Sequence, residues 1–222
     1  MADSARAEIY GRIRRASRGA PAETIWRELQ AIGAAPSAPL PSEDIRLAFL
    51  ANVLKNQGSI DCADDRSAAV KAVANYLYQH FRTHKLVAGN DPKLAAMPWR
   101  DGGVLPRFGA IEPGEQVALS HARLAIAETG SVVTWTGKGN PAANNLLPEH
   151  HIVLIELKDL VSTMEAAWER MNRDMQEQGR PRGINFIAGP SSTADVEAQL
   201  VLGAHGPRGW HVILMGDVPE NL

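Results

Sequence analysis

The chain has 222 residues, of which 45% are hydrophobic and 22% charged, as is ordinary for one globular domain with a sizeable core. Its net charge of −2 gives no long-range attraction to nucleic acid or to anionic lipid, so neither is expected as a partner. No apolar run approaches the roughly 18 residues of a membrane span and the N-terminus lacks the apolar core of a secretory signal, so we expect a cytoplasmic protein without a membrane span.

The first 41 residues predict a helical appendage and linker. Apolar residues recur at helical spacing in residues 3–18 and 22–32. The Ala- and Pro-rich stretch of residues 33–41 cannot sustain a helix. We therefore expect residues 1–41 to form an appendage and residues 42–222 to form the main domain.

From residue 42 onward, helical and strand patterns alternate. Helices are predicted around residues 45–54, 65–81, 162–179 and 194–202, and strands at residues 59–62, 86–88, 116–119, 131–135, 151–157, 184–188 and 211–215. The apolar run of residues 151–157 is typical of a strand covered on both faces. The predicted fold class is α/β, an open and mostly parallel sheet with helices on both faces and ligand sites at the carboxyl ends of strands.

The predicted strand at residues 184–188 runs into a polar loop that has the pattern of a binding site. We expect unpaired backbone amides and the helix dipole to bind a carboxylate or phosphate at the start of the helix that follows. A capping box of Ser192 with Asp195 would explain those two residues by helix initiation alone. Asp195 would repel a bare anion unless it orients a hydroxyl, which favours a hydroxy acid. The candidate ligand-binding residues here are Gly189, Pro190, Ser191, Ser192, Thr193 and Asp195.

A second polar loop, residues 203–208, precedes the last predicted strand. His205 is the best candidate there for a general acid or base, since its ordinary pKa lies near neutrality. It could instead bind a ligand or bond to the backbone. Gly206 would let the loop approach a ligand closely.

A third polar turn contains Thr129, Gly130 and Ser131 as candidate ligand-binding residues. Glu128 is a candidate carboxylate base or nucleophile, with a plain turn role as its alternative. The loop of residues 138–145 is predicted to be a surface loop or a lid over the site.

The chain has one cysteine, so it supplies neither a disulfide nor the four thiolates of an iron–sulfur cluster. His150 and His151 enter a strand as neighbours and are expected to face opposite sides of it, so they should not share a metal. No nucleotide-binding or HExxH motif is present. We expect neither a metal nor a cofactor in this chain.

Four segments together resemble the lactate-utilisation C-type family, the LUD-domain proteins. They are residues 189–197 (GPSSTADVE), residues 203–214 (GAHGP to HVIL), residues 127–131 (AETGS) and residues 147–152 (LPEHHI). Ser131 stands where the family usually has Thr, and Trp210 where a smaller apolar residue is common.

The resemblance implies a fold similar to the sugar-phosphate isomerase and CoA-transferase superfamily, and a role in oxidising L-lactate to pyruvate beside iron–sulfur partners. Any cluster would then belong to those partner proteins, because this chain cannot hold one. We expect a non-iron–sulfur subunit or accessory protein of an L-lactate oxidoreductase complex that binds a small anion. The alternative is a stand-alone enzyme on a phosphorylated or CoA-linked metabolite, with Glu128 or His205 as the reactive group.

Overall fold

A computed structural model describes residues 2–16, 19, 21–33, 39–194 and 200–216. The chain divides into two compact units, Met1–Ser37 and Ala38–Leu222. The first unit contains helices α1 (Ala2–Ala16) and α2 (Ala22–Ala31). Within the described ranges, no helix combines the length and the apolar character that crossing a membrane requires.

The second unit alternates helices and strands. Its helices are α3 (Ile45–Lys55), α4 (Arg66–Phe81), α5 (Pro92–Ala95), α6 (Ala142–Leu146) and α7 (Met164–Gln178). Its strands are β1 (Ser59–Ala63), β2 (Lys85–Ala88), β3 (Leu105–Phe108), β4 (Val117–His121), β5 (Leu124–Ile126), β6 (Ser131–Thr136), β7 (His150–Glu156), β8 (Leu160–Val161), β9 (Gly183–Ile187), β10 (Ser192–Ala194), β11 (Leu200–Leu202) and β12 (Gly209–Met215).

The main sheet has six strands in the order β1-β12-β7-β4-β2-β3, and every neighbouring pair is parallel. Strands β7 and β12 lie in its middle, which explains why both are continuous apolar runs. The predicted α/β fold with a mostly parallel sheet is confirmed.

Helices cover both faces of this sheet. Along β12, Val212 and Leu214 pack in one core cluster with Phe49 of α3. The alternate residue Ile213 packs in another cluster with Leu77 of α4. Because successive side chains of a strand point to opposite faces, one strand contributes to both cores.

A second sheet, in the order β8-β5-β6-β9, packs in the same core cluster as α3. Its other face is covered by α7, where Met171 is fully buried against Leu124 and Val133. The apolar residues of this helix are only partly core, since Trp168 is 42% exposed. Its ring packs beside Phe186 of β9.

Two expectations for the C-terminal part are wrong. The strand near residues 184–188 is β9, which pairs antiparallel with β6 in the second sheet and is absent from the parallel sheet. The helix expected at residues 194–202 is replaced, in the part that the structure describes, by the antiparallel pair β10 and β11. Leu200-Val201-Leu202 is too short an apolar run for its periodicity to separate a helix from a strand. Residues 195–199 lie outside the described part of the chain.

Candidate functional site

The two signature loops, residues 189–193 and residues 203–207, are joined by backbone hydrogen bonds. Ser191 N donates to the carbonyl of Pro207 at 2.8 Å, and Gly203 N donates to the carbonyl of Ser191 at 2.8 Å. A Cβ on Gly206 would lie 3.1 Å from Ser191 Cβ, so the absence of a side chain there permits this approach. The tertiary structure therefore brings both loops to one place.

That place is the amino-terminal edge of the parallel sheet, because the second loop leads into the first residues of β12. The expectation of a site at the carboxyl end of a parallel strand is wrong for these loops. The prediction that free amides at the start of a helix bind an anion here is also wrong. Ser192 and Thr193 belong to strand β10, and the Ser191 amide is already bonded. Asp195 lies outside the described residues.

A cavity of about 240 Å³ opens between the loops, and we call it the amino-edge cavity. Its wall includes four of the predicted residues, Gly189, Ser191, His205 and Gly206, and two others, His151 and Trp210. It is smaller than the roughly 300–1,000 Å³ of sites for drug-sized ligands, so it suits a small molecule. His205 is exposed at its rim.

The deepest polar group in the cavity wall is His151, which is 0% exposed. Burial lowers its pKa to about 3, so the imidazole is neutral at pH 7. Its Nε2 lies 3.0 Å from Ser120 Oγ, which donates to Asn145 Oδ1 at 2.5 Å. Asn145 Nδ2 in turn donates to Thr134 Oγ1 at 2.9 Å. Since Ser120 uses its proton on Asn145, it accepts from His151, and the neutral ring keeps its Nδ1 as an acceptor.

Two atoms in this wall have no hydrogen-bond partner among the described residues. They are His151 Nδ1 and Trp210 Nε1, and both are buried. An unpaired buried polar group costs about 1–3 kcal/mol. Two residues of the cavity wall thus carry an unused acceptor, His151 Nδ1, and an unused donor, Trp210 Nε1.

The third predicted turn does not line this cavity. Asn56 Nδ2 donates to the carbonyl of Thr129 at 2.8 Å, and Thr129 Oγ1 lies 2.7 Å from Ser131 Oγ. Gly130 has a φ of +65°, and a Cβ there would lie 2.6 Å from the backbone carbon of Asn52. These contacts dock the turn on α3, and the ligand-binding role of its residues stays a prediction.

Glu128 caps a helix. Its Oε2 accepts from Met164 N, at the first turn of α7, at 2.9 Å. Thr163 Oγ1 accepts from Ala166 N at 3.2 Å, so the N-cap is Thr163. The structure thereby gives Glu128 a structural partner, and its catalytic role remains an untested prediction.

Pro190, Ser192 and Thr193 are also absent from the described wall of the cavity. The sequence reasoning missed His151 as a buried site residue and treated Asn145 as part of a loop or lid. The expectation of a surface loop or lid is wrong for Asn144 and Asn145, because both lie in helix α6 and both are buried. The sequence did offer a clue to His151, because side chains alternate along a strand and His150 and His151 must face opposite sides of the sheet. His150 bonds to Tyr76 on α4, and His151 bonds to Ser120 on the side of the second sheet.

Comparisons with known proteins agree with this architecture. A crystal structure of a DUF162 family protein from Deinococcus radiodurans matches 80% of this chain and 100% of its own chain, with a TM-score of 0.58 and 23% identity. This likeness shows the fold.

Curated relatives share sequence as well. A "Lactate utilization protein C" from Exiguobacterium is 27% identical over 167 residues, which cover 71% of this chain and 73% of the relative. A protein of the same name from Shouchella clausii is 39% identical over 111 residues, covering 49% of this chain and 48% of the relative. The LUD domain family model matches residues 115–215. The expected resemblance to LUD-domain proteins is confirmed, and the four segments that carry it all lie within these matched residues.

Proposed function

We propose that this chain takes part in L-lactate utilisation as the subunit that holds no iron–sulfur cluster, and that its amino-edge cavity binds L-lactate. The observation that supports the proposal most directly is the pair of unpartnered buried atoms in the cavity, His151 Nδ1 and Trp210 Nε1. Proteins of similar sequence named "Lactate utilization protein C" support the pathway.

A 2-hydroxy acid would satisfy both atoms. Its hydroxyl can donate to His151 Nδ1, and a carboxylate oxygen can accept from Trp210 Nε1–H. No Lys or Arg lines the cavity in the described part of the chain. The rest of the carboxylate would therefore point outward, toward the exposed His205 and Ser191 at the loops.

The electron transfer would belong to partner proteins. With one cysteine, the chain cannot supply a cluster's thiolates itself. We propose that it works in the cytoplasm with iron–sulfur oxidoreductase subunits, and that the signature loops bind the small substrate for them.

Calorimetric titration of L-lactate into the purified chain tests the binding step. Trp210→Phe keeps the ring and removes the N–H, and should weaken binding about tenfold, the usual effect of losing one hydrogen bond to a charged group. Trp26→Phe removes an indole that does not line the cavity and should bind as the wild type does. Equal affinity in all three proteins would reject the cavity as the lactate site.

A genetic test addresses the pathway. A strain lacking this gene should fail to grow on L-lactate, and growth should return with the wild-type gene but poorly with Trp210→Phe. The wild-type chain should also co-purify with cysteine-rich subunits from lactate-grown cells. Normal growth of the deletion strain on L-lactate would refute the proposed role.

A further inference from the structure

A second polar opening lies at the other edge of the parallel sheet. It has a volume of about 420 Å³ and is lined by residues that follow β2, β4 and β7, among them Lys93, His121, Arg123 and Asp159. We call it the carboxyl-edge crevice. None of the residues predicted for the site lines it among those that the structure describes.

The crevice lies where the connections of the sheet diverge. From β2 the chain goes to β3 at one edge, whereas from β4 the next strand of this sheet is β7, on the opposite side. The gap between β2 and β4 is therefore the topological switch point. Open α/β sheets bind their ligands outside the carboxyl ends of the strands at such a point, since the diverging loops leave a space there.

Three buried polar atoms in the crevice wall have no hydrogen-bond partner among the described residues. They are His121 Nε2, Trp135 Nε1 and Asn140 Oδ1. The side chain of His121 is only 5% exposed, and the Glu156 carboxylate is 3.6 Å from its Nε2, beyond hydrogen-bond distance. The wall therefore presents a donor from Trp135 and an acceptor from Asn140.

The crevice wall carries four cations against three carboxylates, whereas no Lys or Arg lines the amino-edge cavity among the described residues. The cations are Lys93, Arg123, Lys158 and Arg170, and the carboxylates are Asp91, Asp159 and Asp174. The Arg123 guanidinium lies 4.4 Å from the centre of the Trp135 ring. Its Nε donates to Asp174 Oδ2 at 3.2 Å, and its Nη2 donates to Gln178 Oε1 at 2.6 Å. Lys93 lies in helix α5, with its Nζ 3.0 Å from Glu156 Oε1 and 3.7 Å from Asp159 Oδ2.

We propose that the carboxyl-edge crevice binds a small organic phosphate that carries a hydroxyl near its phosphate group. The anionic oxygens accept from Trp135 Nε1–H and from Arg123, and the hydroxyl donates to Asn140 Oδ1. This site is independent of the L-lactate site, because the two openings lie at opposite ends of β7 and share no described lining residue.

The indole N–H groups report on the two sites separately. The chain has five tryptophans, so protein labelled with ¹⁵N-tryptophan gives five indole signals. Trp135→Phe and Trp210→Phe assign the two that matter, and the four signals that remain in each variant show that it has folded. The probe is glycerol 3-phosphate, with inorganic phosphate as the partner that lacks the hydroxyl.

We expect glycerol 3-phosphate to shift the Trp135 signal and to leave the Trp210 signal in place. Trp135→Phe should weaken that binding about tenfold, while Trp210→Phe should not change it. The hydroxyl-free partner should bind more weakly because Asn140 Oδ1 then stays unpaired.

Absence of a Trp135 shift with glycerol 3-phosphate would overturn the proposal, as would equal binding by the wild type and Trp135→Phe. Equal binding of inorganic phosphate would overturn the role of Asn140. L-Lactate should move Trp210 instead, so a failure of the lactate proposal is seen at a different signal from a failure of this one.

Discussion

The backbone of Gly189 lies so close to Asn56 that a Cβ on this glycine would come within 2.2 Å of the Asn56 carbonyl oxygen. Gly189 also has a φ of +100°, which residues with a side chain rarely adopt. Asn56 in turn donates from its side chain to the Thr129 carbonyl. The end of α3 thereby holds a loop of the amino-edge cavity and the turn after β5 together.

This close approach predicts a stability effect at Gly189. Gly189→Ala should lower the free energy of unfolding by about 3 kcal/mol, because the new methyl group overlaps a carbonyl and the backbone is strained. Gly137→Ala is the matched control, since a Cβ there meets nothing within 4 Å. Urea unfolding of both variants measures the difference. Similar stability of the two would contradict the contact.

Glu128 offers a test between capping and catalysis. Glu128→Gln keeps the shape but removes the charge at the start of α7, and Glu128→Ala removes the acceptor as well. We expect the free energy of unfolding to fall by about 0.5 kcal/mol in Glu128→Gln and by about 1–2 kcal/mol in Glu128→Ala. The affinity for L-lactate should be unchanged in both variants. Unchanged stability together with lost growth on L-lactate would instead support a catalytic carboxylate.

The buried histidines predict a pH dependence. Burial lowers the pKa of His150 to about 4 and that of His151 to about 3, from an ordinary value of 6.5. The unfolded chain therefore binds more protons than the folded one below pH 6.5. The stability that these rings contribute is complete above pH 6.5 and falls as the pH drops toward their folded values, by up to about 1.4 kcal/mol per pH unit for each ring.

Denaturant unfolding between pH 7.5 and 5 measures this slope. His151→Gln removes one titrating ring and can still donate toward Ser120, so its stability should fall less steeply with acidification than that of the wild type. If the free energy of unfolding falls equally steeply with pH in the two proteins, His151 takes up a proton in the folded state without cost.

The bonds from His151 through Ser120 and Asn145 to Thr134 should act as a unit. Asn145→Ala leaves two buried hydroxyls without this partner and should cost about 2–3 kcal/mol of unfolding free energy. A double-mutant cycle with Ser120→Ala should then give a coupling energy of about 1 kcal/mol. Strict additivity would mean that the Ser120 and Asn145 side chains do not interact.

The main sheet was predictable because its pattern is local. The apolar runs of β7 and β12 are long enough to indicate strands buried on both faces, and the spacing of Val70, Val73 and Leu77 indicates the helix that became α4. The second sheet was not predictable in the same way. β9 has the composition of any short strand, and its pairing with β6 rather than with the parallel strands depends on contacts far apart in the sequence.

The candidate site was likewise predictable from the sequence only in part. Sequence alone determined that two polar, glycine-containing loops precede the last strand, that one cysteine cannot hold a cluster, and that the chain resembles LUD-domain proteins. Only the tertiary structure decided that these loops meet at the amino-terminal edge of the sheet, that His151 becomes their buried neighbour, and that Thr129 to Ser131 dock on α3 instead. The physical reason is that the sequence gives the type of each residue but not its surroundings. The burial of a side chain and its hydrogen-bond partners depend on residues that folding brings from elsewhere in the chain.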